Sequence, residues 1–199
     1  MNDPIFLFDL DSTITRQEVL PLVASHFGCG DDMRTMTEEA MLNAIPFRQS
    51  FLKRVELLKD LPVDEIESLI SNISLNDRLV DFITANHERC FIVTGNLDVW
   101  IKGLISRIGM SDHLFSSKGM VKDNHLIRVA SVIDKMKAIE QFCDGCVAVG
   151  DGSNDAEMIS FAEIGIGFGG VRPIAKSVIE VADYAFYDEV SLCRFLNRL

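Results

Sequence analysis

Two carboxylates, Asp9 and Asp11, stand where an apolar run, Ile5-Phe6-Leu7-Phe8, stops. Carboxylates held this close repel each other unless a cation lies between them, and a hard, oxygen-seeking ion such as Mg²⁺ is the natural candidate. The design recurs in Cys146-Val147-Ala148-Val149-Gly150-Asp151-Gly152-Ser153-Asn154-Asp155, a short apolar run followed by an acidic turn flanked by glycines. Asp151 and Asp155 are four residues apart, so a helix entered near Ser153 turns both toward one point. Gly150 and Gly152 allow close backbone approach there. A third run, Cys90-Phe91-Ile92-Val93, ends in Thr94-Gly95-Asn96, where a hydroxyl and free backbone N–H groups ahead of a helix suit a phosphate. Singly, each motif reads as a surface turn or a helix cap. Together they point to a metal-assisted site for a phosphorylated ligand.

The elements that position these residues follow from the same runs. Four or five consecutive apolar residues make a buried parallel strand, and in open α/β sheets ligands bind beyond the carboxyl ends of such strands. Further along, Ile164–Phe168 and Tyr184–Tyr187 read as strands. They alternate with helices after Asp155, after Pro173 through Val181, and over Val190–Leu196, while Asp123-Asn124 turns a hairpin. This alternation predicts a doubly wound parallel α/β sheet. From Thr15 to about Ser74 the pattern is helical instead, with one helix over 18–27 ending at Gly28 and another starting at Pro62. An all-helical insertion after the first strand would cover the site, exclude water and select the substrate. The expected division is a core of 1–14 and 75–199 with a helical cap of 15–74.

Within the cap, Phe47, Phe51, Arg54, Val55 and Leu58 fall on one helical stripe, which sets a guanidinium in an apolar face. Such a group needs an anionic partner or a route to water. A structural acid such as Glu18 would serve, and so would a substrate carboxylate gripped by the planar fork. A site that gathers carboxylates and a phosphoryl group also needs a lysine. Lys135 and Lys137 lie on one helix with Met136, Ala138 and Ile139, and the pattern alone does not choose between them.

Taken in order, Asp9-Leu10-Asp11-Ser12-Thr13, Thr94-Gly95-Asn96, Lys135 and Gly150-Asp151-Gly152-Ser153-Asn154-Asp155 resemble the four motifs of the haloacid dehalogenase superfamily of phosphotransferases. Ala40-Met41, Phe47, Ser50 and Arg54-Val55-Glu56-Leu57-Leu58 further resemble the cap of its phosphoserine phosphatases. The resemblance implies a Mg²⁺-dependent phosphatase. Asp9 would be the nucleophile that forms an aspartyl-phosphate, and Asp11 the general acid and base. Thr94 and Lys135 would hold the phosphoryl oxygens; the carboxylates of Asp9 and Asp151 and the carbonyl of Asp11 would bind the metal, with Asp155 behind them. Arg54 would take a substrate carboxylate and Glu18 an ammonium. Met41 and Phe47 would wall the pocket, and Gly95, Asn96 and Asn154 would contact the substrate. Asn96 departs from the pattern, because those phosphatases carry a second glycine there.

The 199 residues are 48% hydrophobic and 25% charged, within the range of one globular domain with an insertion. A net charge of −11 disfavours nucleic acid and anionic membranes as partners, leaving a small phosphomonoester as the expected one. Oligomeric state stays open. Five scattered cysteines argue against a secreted disulfide framework, and no export signal opens the chain, so the expected location is cytoplasmic. Cys143-Asp144-Gly145-Cys146 lacks the further ligands of a zinc site, and the four histidines show no metal-ligand spacing. Two alternatives stand beside the hydrolase: a phosphotransferase to another alcohol, and a phospho-accepting signalling receiver.

Overall fold

The computed structural model describes residues 3–41, 46–142 and 145–199, with 37–41 as backbone alone. Its strands are β1 (Ile5–Phe8), β2 (Cys90–Leu97), β3 (Leu114–Lys122), β4 (His125–Ser131), β5 (Cys146–Gly150), β6 (Ile164–Phe168) and β7 (Tyr184–Phe186). They form one sheet in the order β4-β3-β2-β1-β5-β6-β7. Every pairing is parallel except β3 with β4, the expected hairpin. Phe8 lies level with both Ile92 and Val149. Asp9, Thr94 and Asp151 therefore emerge along one carboxyl edge, at the point where the chain stops building toward β3 and starts building toward β7.

Both faces of β1 are covered. Phe6 and Phe8 join one apolar cluster and Leu7 the other, the period-two division of a strand buried on each side. The helices are α1 (Val19–His26), α2 (Gly30–Met41), α3 (Phe47–Leu58), α4 (Val63–Ser71), α5 (Asp77–Ala85), α6 (Asp98–Arg107), α7 (Lys135–Ile139), α8 (Ala156–Phe161), α9 (Lys176–Ile179) and α10 (Glu189–Leu196). The segment between β1 and α5 carries α1 to α4. Its two ends meet in an isolated bridge between Thr15 and Leu75, and the Asn76 side-chain amide donates to the Thr13 carbonyl at 2.8 Å. The hairpin tip reaches this segment as well. Asp123 and Asn124 adopt φ of 50° and 63°, and Asn124 accepts the backbone N–H groups of Val63 and Asp64, capping α4.

Two expectations change. The strand expected to end in a turn at Thr94-Gly95-Asn96 continues through these residues to Leu97, with its register to β3 shifting on the way. Ser117 Oγ donates to the Gly95 carbonyl at 2.7 Å, so the neighbouring strand keeps this turn extended. The helix expected through Val181 is only the short α9, because the Ala175 N–H is bound by the Asp151 carbonyl and the Asp183 N–H by the Gly165 carbonyl, which draw the chain back to the sheet. The Met41 side chain, and Cys143 of the C-x-x-C, lie outside the described residues; Cys29, Cys90 and Cys193 are free thiols. Among the described residues no helix is long and apolar enough to cross a membrane.

Candidate active site

Asp9 leaves β1 with its N–H on the Val149 carbonyl, buried at 5% exposure. Lys135, at the start of α7 and equally buried, forms ion pairs with Asp9 and with Asp155. Asp155 uses its other oxygen to accept the backbone N–H groups of Asp151 (3.2 Å) and Gly152 (2.9 Å). The carboxylate thus folds back over its own turn. A Cβ on Gly150 would sit 2.6 Å from Asp155 Oδ2, so this fold-back requires glycine. Asp151, fully buried, accepts Thr13 Oγ1 at 3.3 Å and pairs with Arg172.

Ligand atoms of Asp9, Asp151 and Asp155 lie within 4.8 Å of one another. Burial first, then the charges of Asp155 and Asp11, push the Asp9 carboxyl up to about 7, against the opposing pull of Lys135. Asp151 is held well above the usual carboxylate range by burial and by Asp9 and Asp155. Burial alone would lower Lys135, but the carboxylates of Asp155 and Asp9 outweigh it and keep the ammonium above its ordinary value. Lys135 and Arg172 set two cations against these three buried carboxylates, and Arg172 is shared with Glu18, so net negative charge remains, the condition that calls for a cation. Lys137 points outward, its side chain 75% exposed beside Asp134. The structure therefore brings Lys135, and not Lys137, to the cluster.

The turn after β1 aims Asp11 elsewhere. Ser12 takes φ of 55° and the Thr15 N–H closes back on the Leu10 carbonyl. Asp11 then accepts the first N–H of α1, from Val19, at 2.8 Å and the Asn96 side-chain amide at 2.7 Å. The same amide reaches Thr94 Oγ1 at 3.1 Å.

Beside this cluster opens a cleft, continuous with solvent, whose lining includes Asp9, Asp11, Glu18, Arg54, Asn96, Asn154 and Arg172. Phe47 and Phe51 stack with centroids 5.7 Å apart on the α3 wall. A Cβ on Gly95 would meet the Phe47 ring at 2.5 Å, so ring and backbone meet only because the residue is glycine. Arg54 is 8% exposed and its Nε has no hydrogen-bond partner; burial lowers its pKa against the opposing charge of Asp11. Glu18 does not pair with Arg54. It pairs with Arg172, which joins Glu18 to Asp151.

Arg172 is a site residue the sequence pattern did not single out, and Thr13 stood in the first motif without a role of its own. Arg172 follows the Gly169-Gly170 break after β6, on the same carboxyl edge, and that placement was the available signal.

The model of the haloacid dehalogenase-like hydrolases matches residues 6–160, a span that holds the β1 turn, the end of β2, Lys135 and the β5 turn. The chain belongs to this family. Among curated relatives, a phosphoserine phosphatase of Methanocaldococcus jannaschii is 30% identical over 89% of this chain and 90% of its own length. One from Streptococcus thermophilus is 29% identical over 89% and 86%. A substrate-bound phosphoserine phosphatase complex superposes with a TM-score of 0.83 at 28% identity, covering 98% of this chain and 99% of the other. A phospho-aspartyl intermediate analogue of phosphoserine phosphatase gives 0.82 at 27% identity, with the same coverage. The chain is therefore a phosphatase-type enzyme with the expected α/β fold. The signalling-receiver alternative falls with that membership.

Proposed function

We propose that this enzyme hydrolyses small phosphomonoesters carrying a carboxylate, L-phosphoserine first among them, through a phosphorylated Asp9 and with Mg²⁺. The observation that carries the reading is the pairing of two features across one cleft. On the sheet side stands the Asp9–Lys135–Asp155 cluster; on the helical side stands Arg54, buried with an unpartnered Nε. A buried guanidinium with a free donor is built for an anion that arrives from outside. The names of the relatives supply the choice of phosphoserine.

The donor set fits a hard divalent ion. The buried side-chain donors are carboxylate oxygens, and their pKa values are raised first by burial and then by mutual repulsion, which a cation would relieve. Asp9 and Asp151 would hold it; the Asp11 side chain is engaged with Val19 and Asn96, so Asp11 would contribute its backbone carbonyl. The ion would supply charge neutralisation at the phosphoryl oxygens.

Asp9 then attacks phosphorus in line, forming the Asp9–phosphorus bond as the ester oxygen departs. Asp11 gives that oxygen its proton, and later takes one from the water that releases phosphate and restores Asp9. Lys135 and Thr94 hold phosphoryl oxygens while Asp155 fixes the lysine from behind. Phe47, Gly95, Asn96 and Asn154 shape the space for the rest of the ester. Residues 15–74 act as the cap that brings Arg54 and Glu18 over the site. Glu18 would accept an incoming ammonium beside Arg172, its present partner, so that one carboxylate faces both cations.

Phosphate release from L-phosphoserine and from esters lacking the carboxylate or the amine tests the proposal, each with Mg²⁺ and with chelator. Chelator-sensitive preference for phosphoserine is expected. Equal rates across the panel would remove Arg54 from substrate recognition, and transfer to added alcohols in place of hydrolysis would make the enzyme a phosphotransferase.

A further inference from the structure

The opposite end of β2 carries a second convergence of metal-ligating side chains. His87, Glu88 and His113 present ligand atoms within 4.8 Å of one another. The two histidines lie 26 residues apart and show no ligand spacing in the sequence; the parallel pairing of β2 with β3 brings together the segments that precede each strand.

One nitrogen of each ring is already fixed. His87 Nε2 meets the Gly109 carbonyl at 3.0 Å, and His113 Nδ1 meets the Cys90 carbonyl at 2.9 Å. A carbonyl can only accept, so these nitrogens carry the protons, and the neutral rings keep lone pairs on His87 Nδ1 and His113 Nε2. Anchoring one nitrogen on a backbone carbonyl is how a metal-binding histidine has its tautomer and orientation set. His87 Nδ1 then faces Glu88 Oε1 at 3.4 Å. Two acceptors at that distance need a proton or a cation between them. The His87 and His113 rings lie 4.3 Å apart, tilted by 44°. Phe91 stacks on His113 at 4.6 Å and holds that ring in place. Glu88 is exposed, leaving room for water to complete a coordination shell.

We propose that His87, Glu88 and His113 bind a divalent transition-metal ion of the Zn²⁺ class. Two imidazoles and one carboxylate suit that class, whereas Mg²⁺ prefers all-oxygen donors. The ion ties the loop after α5 to the loop before β3, on the side of the sheet away from the phosphatase cleft. It stabilises the folded chain by mass action and takes no part in turnover.

The test is Zn²⁺ binding by the full chain in excess Mg²⁺, which occupies oxygen sites without competing for imidazole. One Zn²⁺ per chain is expected, with ring-proton resonances of two of the four histidines shifting on its addition. His113→Gln should weaken binding by at least about 10-fold, as even outer-shell changes at metal sites do. Glu88→Gln, at an exposed position, gives the same reading should the histidine variant fold poorly. No Zn²⁺ bound by the wild-type chain, no histidine resonance shifted, or unchanged affinity in both variants would overturn the proposal.

Discussion

The Asn96 side-chain amide donates to Asp11 Oδ2 at 2.7 Å. With the Val19 N–H on Oδ1, it holds the carboxylate that we assign as general acid and base at both oxygens. The residue that departs from the phosphoserine phosphatase pattern is thus coupled to the proton-transfer group, and it also stands in the substrate cleft.

Replacing Asn96 by Gly should separate those two effects. A hydrogen bond to a charged group is worth roughly 1.5–3 kcal/mol, so kcat on phosphoserine should fall by roughly 10- to 100-fold. An aryl phosphate with a good leaving group, which needs no proton from Asp11, should fall less. Equal losses on both substrates would show that Asn96 does not act through Asp11.

Arg54, which we propose recognises the substrate carboxylate, should be held at a cost in stability. Its guanidinium is buried with Nε unpartnered, and its pKa is lowered by that burial. Arg54→Met should therefore leave the melting temperature unchanged or raise it. KM for phosphoserine should rise about 100-fold, the worth of a charged hydrogen-bonded contact, while an ester without a carboxylate should be little affected. A large drop in melting temperature would mark Arg54 as structural.

Lys135→Met should leave Asp9 and Asp155 buried without their shared cation. Breaking a buried pair in this way costs about 3–5 kcal/mol, visible as a lower urea midpoint in chelator. Mg²⁺ should restore part of the loss. A variant as stable as wild type would mean that the carboxylates are neutral without the lysine.

Stability should also respond to pH, in a direction set by Asp9. Its pKa rises from 3.8 to about 7 on folding. Between those values the folded chain binds more protons than the unfolded one, so stability falls as pH rises. Asp151, raised for the same reasons, adds to the trend, whereas the raised Lys135 acts only at alkaline pH. Urea midpoints in chelator should decline from about pH 5 to pH 7.5, where unperturbed carboxylates have finished titrating, and Mg²⁺ should flatten the decline. A midpoint that climbs across this range would contradict the charge distribution described here.

The sheet and much of the candidate site were legible because local patterns encode them. Apolar runs leading into Asp9, Thr94 and Asp151 specify the strands, and sheet register then brings those three residues to one edge. The glycines around Asp151 are likewise a local requirement of the Asp155 fold-back. What escaped depends on distant pairing. Arg172 lies 21 residues from Asp151 on an irregular segment with no periodicity. The Glu18–Arg172 ion pair spans most of the chain, and it displaced the Glu18–Arg54 pairing weighed from the sequence. The premature end expected for β2 has a similar cause, since its last residues are held extended by Ser117 on the neighbouring strand. His87 and His113 meet only once β2 and β3 are aligned.

The most direct test of the central claim is to mix enzyme, Mg²⁺ and L-phosphoserine, quench in acid within a turnover, and weigh the peptide that contains Asp9. A peptide heavier by one phosphoryl group in wild type, with Asp9→Asn folded, unmodified and inactive, is the expected result. Sustained phosphate release by folded Asp9→Asn would contradict the account.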